Sequence, residues 1–202
     1  MLNQFSRTQL LLGVEAMDKL KNSRVAVFGI GGVGGYVCEA LVRSGVGQFD
    51  LIDDDKVCLT NINRQIIATR KSVGQYKVDV MKERMVDINP DVTVNIHKCF
   101  FLPENADEFP FDEYDYVVDA VDTVTAKIAL VMKCQEKGVP IISIYDIIIF
   151  LKGKFISIFR QKEAFMYIYG DVRIDFHHSL FHYINLILPN TLPCRYYLSI
   201  NI

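Results

Sequence analysis

The sequence predicts an α/β fold of the Rossmann-like type, with a largely parallel, twisted sheet and helices on both of its faces. A short apolar run, Val25 to Phe28, is followed at once by a glycine-rich turn. Candidate strands and helices then alternate in the order β-α-β-α-β-β-α-β, which is typical of a parallel sheet with crossover helices. The length of 202 residues suits one domain. We therefore expect one sheet whose first strand is buried on both faces.

The residues before the first strand predict a single amphipathic helix over residues 6–20. Its apolar side chains recur at roughly helical spacing, at Leu11, Leu12, Val14, Met17 and Leu20. Gly13 is a weak point within this helix. Arg7 stands at its start and, judged by its neighbours alone, is a solvated surface charge.

The glycine-rich turn has the composition of a phosphate-binding loop. Because glycine has no Cβ, the backbone can turn sharply and bring its N–H groups, with the positive end of the next helix, against a phosphate. An acidic run then follows the second strand, about 20 residues further on, which is the usual distance to a carboxylate that binds a ribose. The pattern predicts a bound nucleotide without saying which one. Its candidate binding residues are Gly29, Gly31, Gly32, Gly34, Asp53 and Asp55.

The chain beyond the acidic run supplies the other elements of the sheet. Residues 56–74 are polar and predict an ordered loop over the carboxyl edge of the sheet, where ligands of open α/β folds bind. A helix over residues 75–89 follows, with Lys77 in its first turn. The acidic segment of residues 103–114 predicts a surface connection. The remaining strands and helix are predicted at residues 92–96, 116–121, 123–137 and 141–143.

Composition excludes several classes of protein. The net charge of -2 gives no overall basic field, so contact with nucleic acid would need a local patch. The 5 cysteines contain no C-x-x-C pair, which argues against a disulfide framework and against a structural zinc site within this chain. The N-terminus lacks the apolar core of a signal peptide, and the most apolar run, residues 141–151, is about half the ~20 residues that a membrane span needs. We expect a cytoplasmic protein without a membrane span.

Three charged residues outside the glycine turn distinguish an ATP site from a dinucleotide site. ATP presents a triphosphate that usually carries Mg²⁺, so its site needs additional cations and a carboxylate for the metal. Arg64 in the polar loop, Lys77 at a helix start and Asp122 at a strand end could all converge on one edge of the sheet. Taken singly, each has another explanation: a surface ion pair, a solvated helix residue and a helix cap, respectively.

Five motifs together resemble the ThiF/MoeB/HesA superfamily, the bacterial relatives of ubiquitin-activating enzymes. They are GIGGVG, LIDDD, TNINRQ, GQYK and VVDAVD, and they cover roughly residues 7–143. The resemblance implies that ATP and Mg²⁺ bind the sheet and that a substrate carboxylate is adenylated. It also implies a homodimer, with Arg7 reaching the ATP of the partner subunit. By matching position it places Gly32 at the phosphates, Asp53 on the ribose, Asn61, Arg64 and Lys77 on the phosphates, and Asp122 on Mg²⁺.

Within the superfamily, NINRQ and DAVDT are more similar to the tRNA threonylcarbamoyladenosine dehydratase branch than to the sulfur-carrier activators. That resemblance implies tRNA as the substrate and an ATP-dependent cyclisation of its threonylcarbamoyladenosine. The residues implied in catalysis are Arg7, Arg64, Lys77 and Asp122. Three alternatives stay open: adenylation of the C-terminus of a sulfur-carrier protein, an inactive nucleotide-binding remnant, and, more distantly, an NAD-linked oxidoreductase. A sulfur-transfer partner is a further possibility, since some superfamily members have one.

The resemblance ends near Ser143, which divides the chain into an adenylating domain at residues 1–143 and an atypical tail at residues 144–202. From Ile144 onward the sequence becomes rich in Ile, Phe and Tyr. We hypothesise that this tail is a truncation or frame-shift product that replaces the C-terminal half of the superfamily. Translation of the other reading frames downstream of Ser143 tests this hypothesis, and the absence of a superfamily-like segment in every frame would contradict it.

Overall fold

A five-stranded, fully parallel sheet forms the centre of the structure, a computed structural model that describes residues 3–144. The strands lie in the order β3-β2-β1-β4-β5, and each neighbouring pair is parallel. This arrangement confirms the Rossmann-like prediction and places β1 between β2 and β4. The strands are β1 (Arg24–Phe28), β2 (Gln48–Ile52), β3 (Thr93–His97), β4 (Tyr116–Asp119) and β5 (Ile141–Ser143).

Side chains of the strands alternate between two hydrophobic cores, one on each face of the sheet. Val25 and Val27 of β1 enter the larger core, whereas Ala26 and Phe28 enter the smaller one. Both cores are covered by helices, as the sequence predicts. The larger core packs against α2 (Val14–Asn22), α3 (Gly34–Ser44) and α4 (Lys77–Ile88), and the smaller one against α5 (Val124–Lys137).

The smaller core also includes side chains of a segment whose acidic composition predicts a surface connection. Residues 103–114 form two short 3-10 turns, Pro103–Glu108 and Phe111–Glu113. Their aromatic side chains lie under the sheet, where Phe28 stacks on Phe111 with ring centroids 6.0 Å apart. The prediction of a surface connection holds for the acidic residues of this segment, which are exposed, but it missed the aromatic residues between them, which are buried against the sheet.

The N-terminal segment forms two helices rather than the single helix that the sequence predicts. The helix α1 (Ser6–Leu12) ends at Gly13, and α2 begins directly after it. Gly13 has a φ of +85°, which is unfavourable for residues that carry a Cβ. The apolar residues have helical spacing on both sides of Gly13, but the backbone changes direction at this glycine, so two helices form.

A buried ionic network joins β1, β2 and β3 on the sheet face that carries the smaller core. The Asp50 carboxylate is 1% exposed and accepts hydrogen bonds from Arg24 at 2.7 and 3.0 Å. It also bonds the His97 ring at 3.1 Å, and Arg24 reaches Glu113 with its other nitrogen. Burial opposes ionisation of Asp50, but the hydrogen bonds from His97 and Arg24 outweigh it and lower its pKa to about 2.

None of the five α-helices within residues 3–144 has the length and apolar character that a bilayer crossing requires.

Replacing Met81 by Ala is expected to destabilise the fold by ~2–5 kcal/mol, because Met81 is fully buried between α4 and the sheet. The matched control is Met132→Ala on α5, where the side chain is 55% exposed and its loss should cost less than ~0.5 kcal/mol. Urea unfolding at neutral pH measures both values. Equal losses in the two variants would contradict the packing described for α4.

Acid should weaken the wild-type fold more steeply than an Asp50→Asn variant. Because the folded pKa of Asp50 lies near 2, below the ~3.9 of an unfolded aspartate, its stabilisation is present above pH ~4 and is lost as the pH falls towards 2. Asp50→Asn removes this dependence and should be less stable at neutral pH. Urea unfolding at a series of acidic pH values gives the two curves. Parallel curves would refute the role of the network, and Asp91→Asn at an exposed position serves as the control.

Candidate nucleotide-binding site

The candidate site lies where the chain direction across the sheet reverses. From β1 the chain crosses to β2 on one side, whereas from β4 it crosses to β5 on the other. In open α/β sheets such a reversal leaves a crevice outside the carboxyl ends of the two central strands, and ligands bind there. The glycine turn follows β1 and the turn of Asp122 follows β4, so two of the predicted motifs meet at this crevice.

Two glycines of the turn occupy positions where no side chain fits. Gly29 has a φ of +89°, and a Cβ built on it would lie 2.6 Å from the Ala120 carbonyl oxygen. A Cβ on Gly34 would lie 1.8 Å from the Gly29 carbonyl oxygen. Gly31, by contrast, faces open space, and Gly32 lies half-buried beside it before α3 begins. The turn is therefore closed towards β4 and open at Gly31, as a loop that admits a phosphate has to be.

The acidic residues after β2 contact both the glycine turn and α4. Asp53 accepts a hydrogen bond from the Ile30 backbone N–H at 2.6 Å and from the Asp55 N–H at 2.8 Å. The Lys77 ammonium lies 2.5 Å from Asp55 and 3.8 Å from Asp53. Burial raises the pKa of Asp53, although Lys77 and the two N–H groups oppose the rise. The structure thus brings together three of the predicted site residues.

The three consecutive carboxylates of this run, at Asp53, Asp54 and Asp55, have oxygen atoms within 4.8 Å of one another. Such a cluster can bind a cation, but Lys77 already pairs with two of its members and Asp53 accepts two backbone N–H groups. We therefore assign no metal to it.

The polar loop is anchored to the larger core and leaves Arg64 exposed. Ile67 is 2% exposed and ties the loop to the sheet. Arg64 donates to the Thr60 carbonyl at 3.3 Å and to Asn63 at 3.2 Å, and it has no acidic partner among the described residues. The surface ion pair considered as an alternative for Arg64 is therefore absent from this part of the chain. Asn61 accepts a hydrogen bond from the Cys58 N–H at 2.9 Å and so shapes the loop itself.

Asp122 is exposed at the carboxyl end of β4. Within residues 3–144, its carboxylate accepts one hydrogen bond, from the Thr123 hydroxyl at 3.3 Å. The first N–H groups of α5 receive no side-chain cap, so the helix-cap explanation for Asp122 is wrong. Among the described residues its oxygens have no cationic partner, which leaves them accessible to a ligand.

Arg7 lies on α1 and is exposed, without an ion pair to any residue of the described range. The role that the resemblance implies for it requires a second subunit and stays a prediction.

Sequence reasoning missed a buried ion pair at the end of β4. Asp119 is fully buried, and the Lys127 ammonium lies 3.0 Å from both of its carboxylate oxygens. A signal was available, because Lys127 lies three residues before Leu130 and seven before Cys134, on the buried face of α5. A lysine at such a position requires a buried acid.

Comparison with known proteins identifies the family. The model of the ThiF family matches residues 5–162, more than half of the chain. The chain belongs to the ThiF family. The match extends past Ser143, and residues 145–202, where most of the tail lies, are outside the described residues.

The relatives of this ThiF-family chain include proteins named tRNA threonylcarbamoyladenosine dehydratase and proteins named adenylyltransferase and sulfurtransferase. The tRNA threonylcarbamoyladenosine dehydratase of Bacillus subtilis is 50% identical over 143 residues, covering 71% of this chain and 56% of the relative. An adenylyltransferase and sulfurtransferase of Culex quinquefasciatus is 34% identical over 142 residues, covering 69% of this chain and 32% of the relative. This chain spans about half the length of the curated dehydratases that it matches.

Among solved structures, the Escherichia coli tRNA N6-threonylcarbamoyladenosine dehydratase in complex with ATP is similar to this ThiF-family chain. The TM-score is 0.68 at 41% identity, and the alignment covers 69% of this chain and 58% of the other.

Replacing Gly34 by Ala is expected to disrupt the glycine turn, because its methyl group would overlap the Gly29 carbonyl oxygen. We expect a loss of stability of ~1–3 kcal/mol, comparable to other overpacked positions. Gly31→Ala is the matched control, since open space surrounds that position and its fold should be unaffected. Thermal unfolding of the two variants without ligand measures the difference. A stable Gly34→Ala variant would show that the turn is not closed in this way.

Proposed function

We propose that this chain binds ATP and adenylates a carboxylate, and that the carboxylate belongs to threonylcarbamoyladenosine in tRNA. The observation that carries the proposal is the convergence of the glycine turn, the Asp53–Lys77 pair and Asp122 on one crevice of the sheet. The 50% identity to a protein named tRNA threonylcarbamoyladenosine dehydratase supports this substrate over others. The product would be the cyclic, dehydrated form of the modified nucleoside.

The residues at the crevice fit a nucleoside triphosphate. The open space at Gly31, beside the half-buried Gly32, suits a phosphate, and the Asp53 carboxylate suits a ribose hydroxyl. Lys77 has three N–H donors, so it can bind a phosphate oxygen while it remains paired with Asp55. Arg64 lacks an acidic partner among the described residues and offers the second cation.

The residues also fit Mg²⁺, which prefers carboxylate oxygens together with phosphate oxygens of the substrate. Asp122 is an exposed carboxylate at the crevice that no described cation neutralises, and it lies outside the Asp53–Asp55 cluster that Lys77 contacts. We assign it the metal on this ground. Bound Mg²⁺ would supply charge neutralisation on the phosphates of ATP.

Adenylation replaces hydroxide, a poor leaving group on the carboxylate carbon, by AMP, a good one. A carboxylate oxygen of the substrate attacks the α-phosphorus, the bond to pyrophosphate breaks, and an acyl adenylate forms. In the proposed mechanism Lys77 and Arg64 hold the phosphate oxygens on which charge builds, an effect worth a few kcal/mol per donor. The carbamoyl group of the nucleoside then attacks the activated carbonyl carbon, loses a proton and expels AMP. The described residues are assigned to the first of these two steps.

The organisation proposed for the whole protein follows the ThiF-family resemblance. Residues 1–143 form the adenylating domain, and two copies assemble so that Arg7 of each reaches the ATP of the other. The reaction takes place in the cytoplasm.

The second candidate function is adenylation of the C-terminus of a ubiquitin-like sulfur-carrier protein. It is supported by the relative named adenylyltransferase and sulfurtransferase, at 34% identity. That function would also provide the sulfur-transfer partner considered above. The lower identity makes it the weaker of the two candidates.

Carboxylate-dependent exchange between ATP and radiolabelled pyrophosphate distinguishes the two functions. We expect exchange with tRNA that carries threonylcarbamoyladenosine and none with the same tRNA lacking the modification. Exchange with a carrier protein ending in Gly-Gly, and not with tRNA, would establish the second candidate. ATP binding without exchange under either condition would indicate an inactive remnant. Binding of NADH in place of ATP would instead support the oxidoreductase alternative.

Replacing Asp122 by Ala should weaken ATP binding in the presence of Mg²⁺ by roughly tenfold or more, or about 1.4 kcal/mol, because a metal ligand is lost. Titration calorimetry with ATP and Mg²⁺ gives the affinity. Asp91→Ala, at an exposed position after α4, removes the same charge far along the chain from the crevice and should leave the affinity unchanged. An unchanged affinity in the Asp122 variant would refute the metal assignment.

A further inference from the structure

The buried pair of Asp119 and Lys127 lies next in sequence to the turn that carries Asp122, and its energetics call for an explanation. Asp119 is 0% exposed and the Lys127 side chain 3%. Taking both ions out of water is unfavourable, and apolar side chains of similar volume often stabilise a core as well or better. A contribution to stability therefore does not by itself explain why this pair is buried. Its other contacts indicate what else it does.

Both members of the pair hold backbone groups at the carboxyl edge of the sheet. Asp119 accepts a hydrogen bond from the Val121 N–H at 3.2 Å, inside the turn that leads to Asp122. The Lys127 ammonium donates to the Ile144 carbonyl at 3.0 Å, at the residue that follows β5. Ile144 in turn donates its N–H to the Asp119 carbonyl at 2.8 Å. One ion pair thus joins the ends of two strands and α5.

The same turn also rests against the glycine turn. The Ala120 N–H donates to the Phe28 carbonyl at 2.8 Å, and its own carbonyl oxygen fills the space where Gly29 would carry a Cβ. Val121, the residue before Asp122, is therefore held by the Asp119 carboxylate, and Ala120 is held by the end of β1. In the part of the chain that the structure describes, the Asp122 carboxylate accepts a single hydrogen bond, from the Thr123 hydroxyl at 3.3 Å. The direction of its carboxylate depends on the backbone that precedes it.

We propose that Asp119 and Lys127 are positioning residues for Asp122. The inference rests on the proposed function, because it assigns the pair a purpose in the Mg²⁺-dependent part of ATP binding. Lys127 holds the Asp119 carboxylate in place, Asp119 holds the Val121 N–H, and the turn then presents Asp122 towards the phosphates. Without the pair the turn loses this constraint, while the glycine turn and Asp53 keep their own contacts.

ATP titrations of the full 202-residue chain, with Mg²⁺ and with EDTA, test the proposal. The quantity measured is the gain in affinity that Mg²⁺ provides, the ratio of the two dissociation constants. Lys127→Met and Asp119→Asn are expected to lower this gain at least tenfold and to change the affinity in EDTA by less than threefold. Lys127→Arg, which retains the charge, should restore part of the gain.

Lys133→Met is the matched control on the same helix. Its ammonium pairs with Asp107 and Glu136, away from the turn after β4, and its replacement should leave the gain unchanged. Circular dichroism and thermal unfolding establish that each variant is folded.

Several outcomes would overturn the proposal. A purely structural role would reduce affinity equally with Mg²⁺ and with EDTA, and an irrelevant pair would leave both affinities unchanged. If Lys127→Met does not fold, the near-isosteric Asp119→Asn decides, and failure of both to fold would show a structural role only.

Failure of the proposed function is a different result in the same experiment. It would appear as absent ATP binding, or as an absent gain from Mg²⁺, in the wild-type chain. A wild-type gain that Asp122→Ala removes, and that Lys127→Met and Asp119→Asn do not, would overturn the positioning role while the metal assignment stands.

Discussion

The contact between the backbones of Gly29 and Ala120 constrains the rest of the site. Because β1 pairs with both β2 and β4, the turns that follow these three strands meet at one edge of the sheet. The turns after β1 and β4 approach so closely that no Cβ fits on Gly29. The Ala120 N–H and the Phe28 carbonyl close this contact with a hydrogen bond. On the other side of β1, the Ile30 N–H binds Asp53. Three strand ends are thereby fixed relative to one another before any ligand binds, which is the preorganisation that an electrostatic site requires.

The charged residues at this edge of the sheet fall into two groups, those that form ion pairs with a buried lysine and those that are exposed without one. An acid at or just after a strand end pairs with a lysine of the helix that follows: Asp55 with Lys77 after β2, and Asp119 with Lys127 after β4. In both pairs the lysine is buried, so its charge requires a partner within the protein. Arg64 and Asp122 are exposed and have no ion pair within residues 3–144. The two buried lysines are neutralised within the protein, whereas the charges of Arg64 and Asp122 are exposed, and the proposed function assigns these two to phosphate and metal.

Most of the fold could be predicted because its determinants are local in sequence. Buried parallel strands read as short apolar runs, and the α4 pattern with Met81 and Met85 identifies its inner face. The failures were of another kind. Gly13 divides a segment whose apolar periodicity alone predicts one helix. Phe111 is buried by rings that include Phe28, which lies on a strand distant in sequence. Whether a polar segment covers a core depends on a surface that its own residues do not specify.

The sequence by itself determined the fold class, the family and the identity of the charged residues at the carboxyl edge, because glycine conformation, apolar period and motif spacing are properties of short segments. Only the tertiary structure decided how those charges are used. In the folded chain Lys77 pairs with the acids after β2, and Asp119 is buried against Lys127. Asp122 is exposed just before α5 and does not cap that helix. Pairing and burial depend on distances between segments far apart in the chain, and these are set only when the parallel strands align their carboxyl ends.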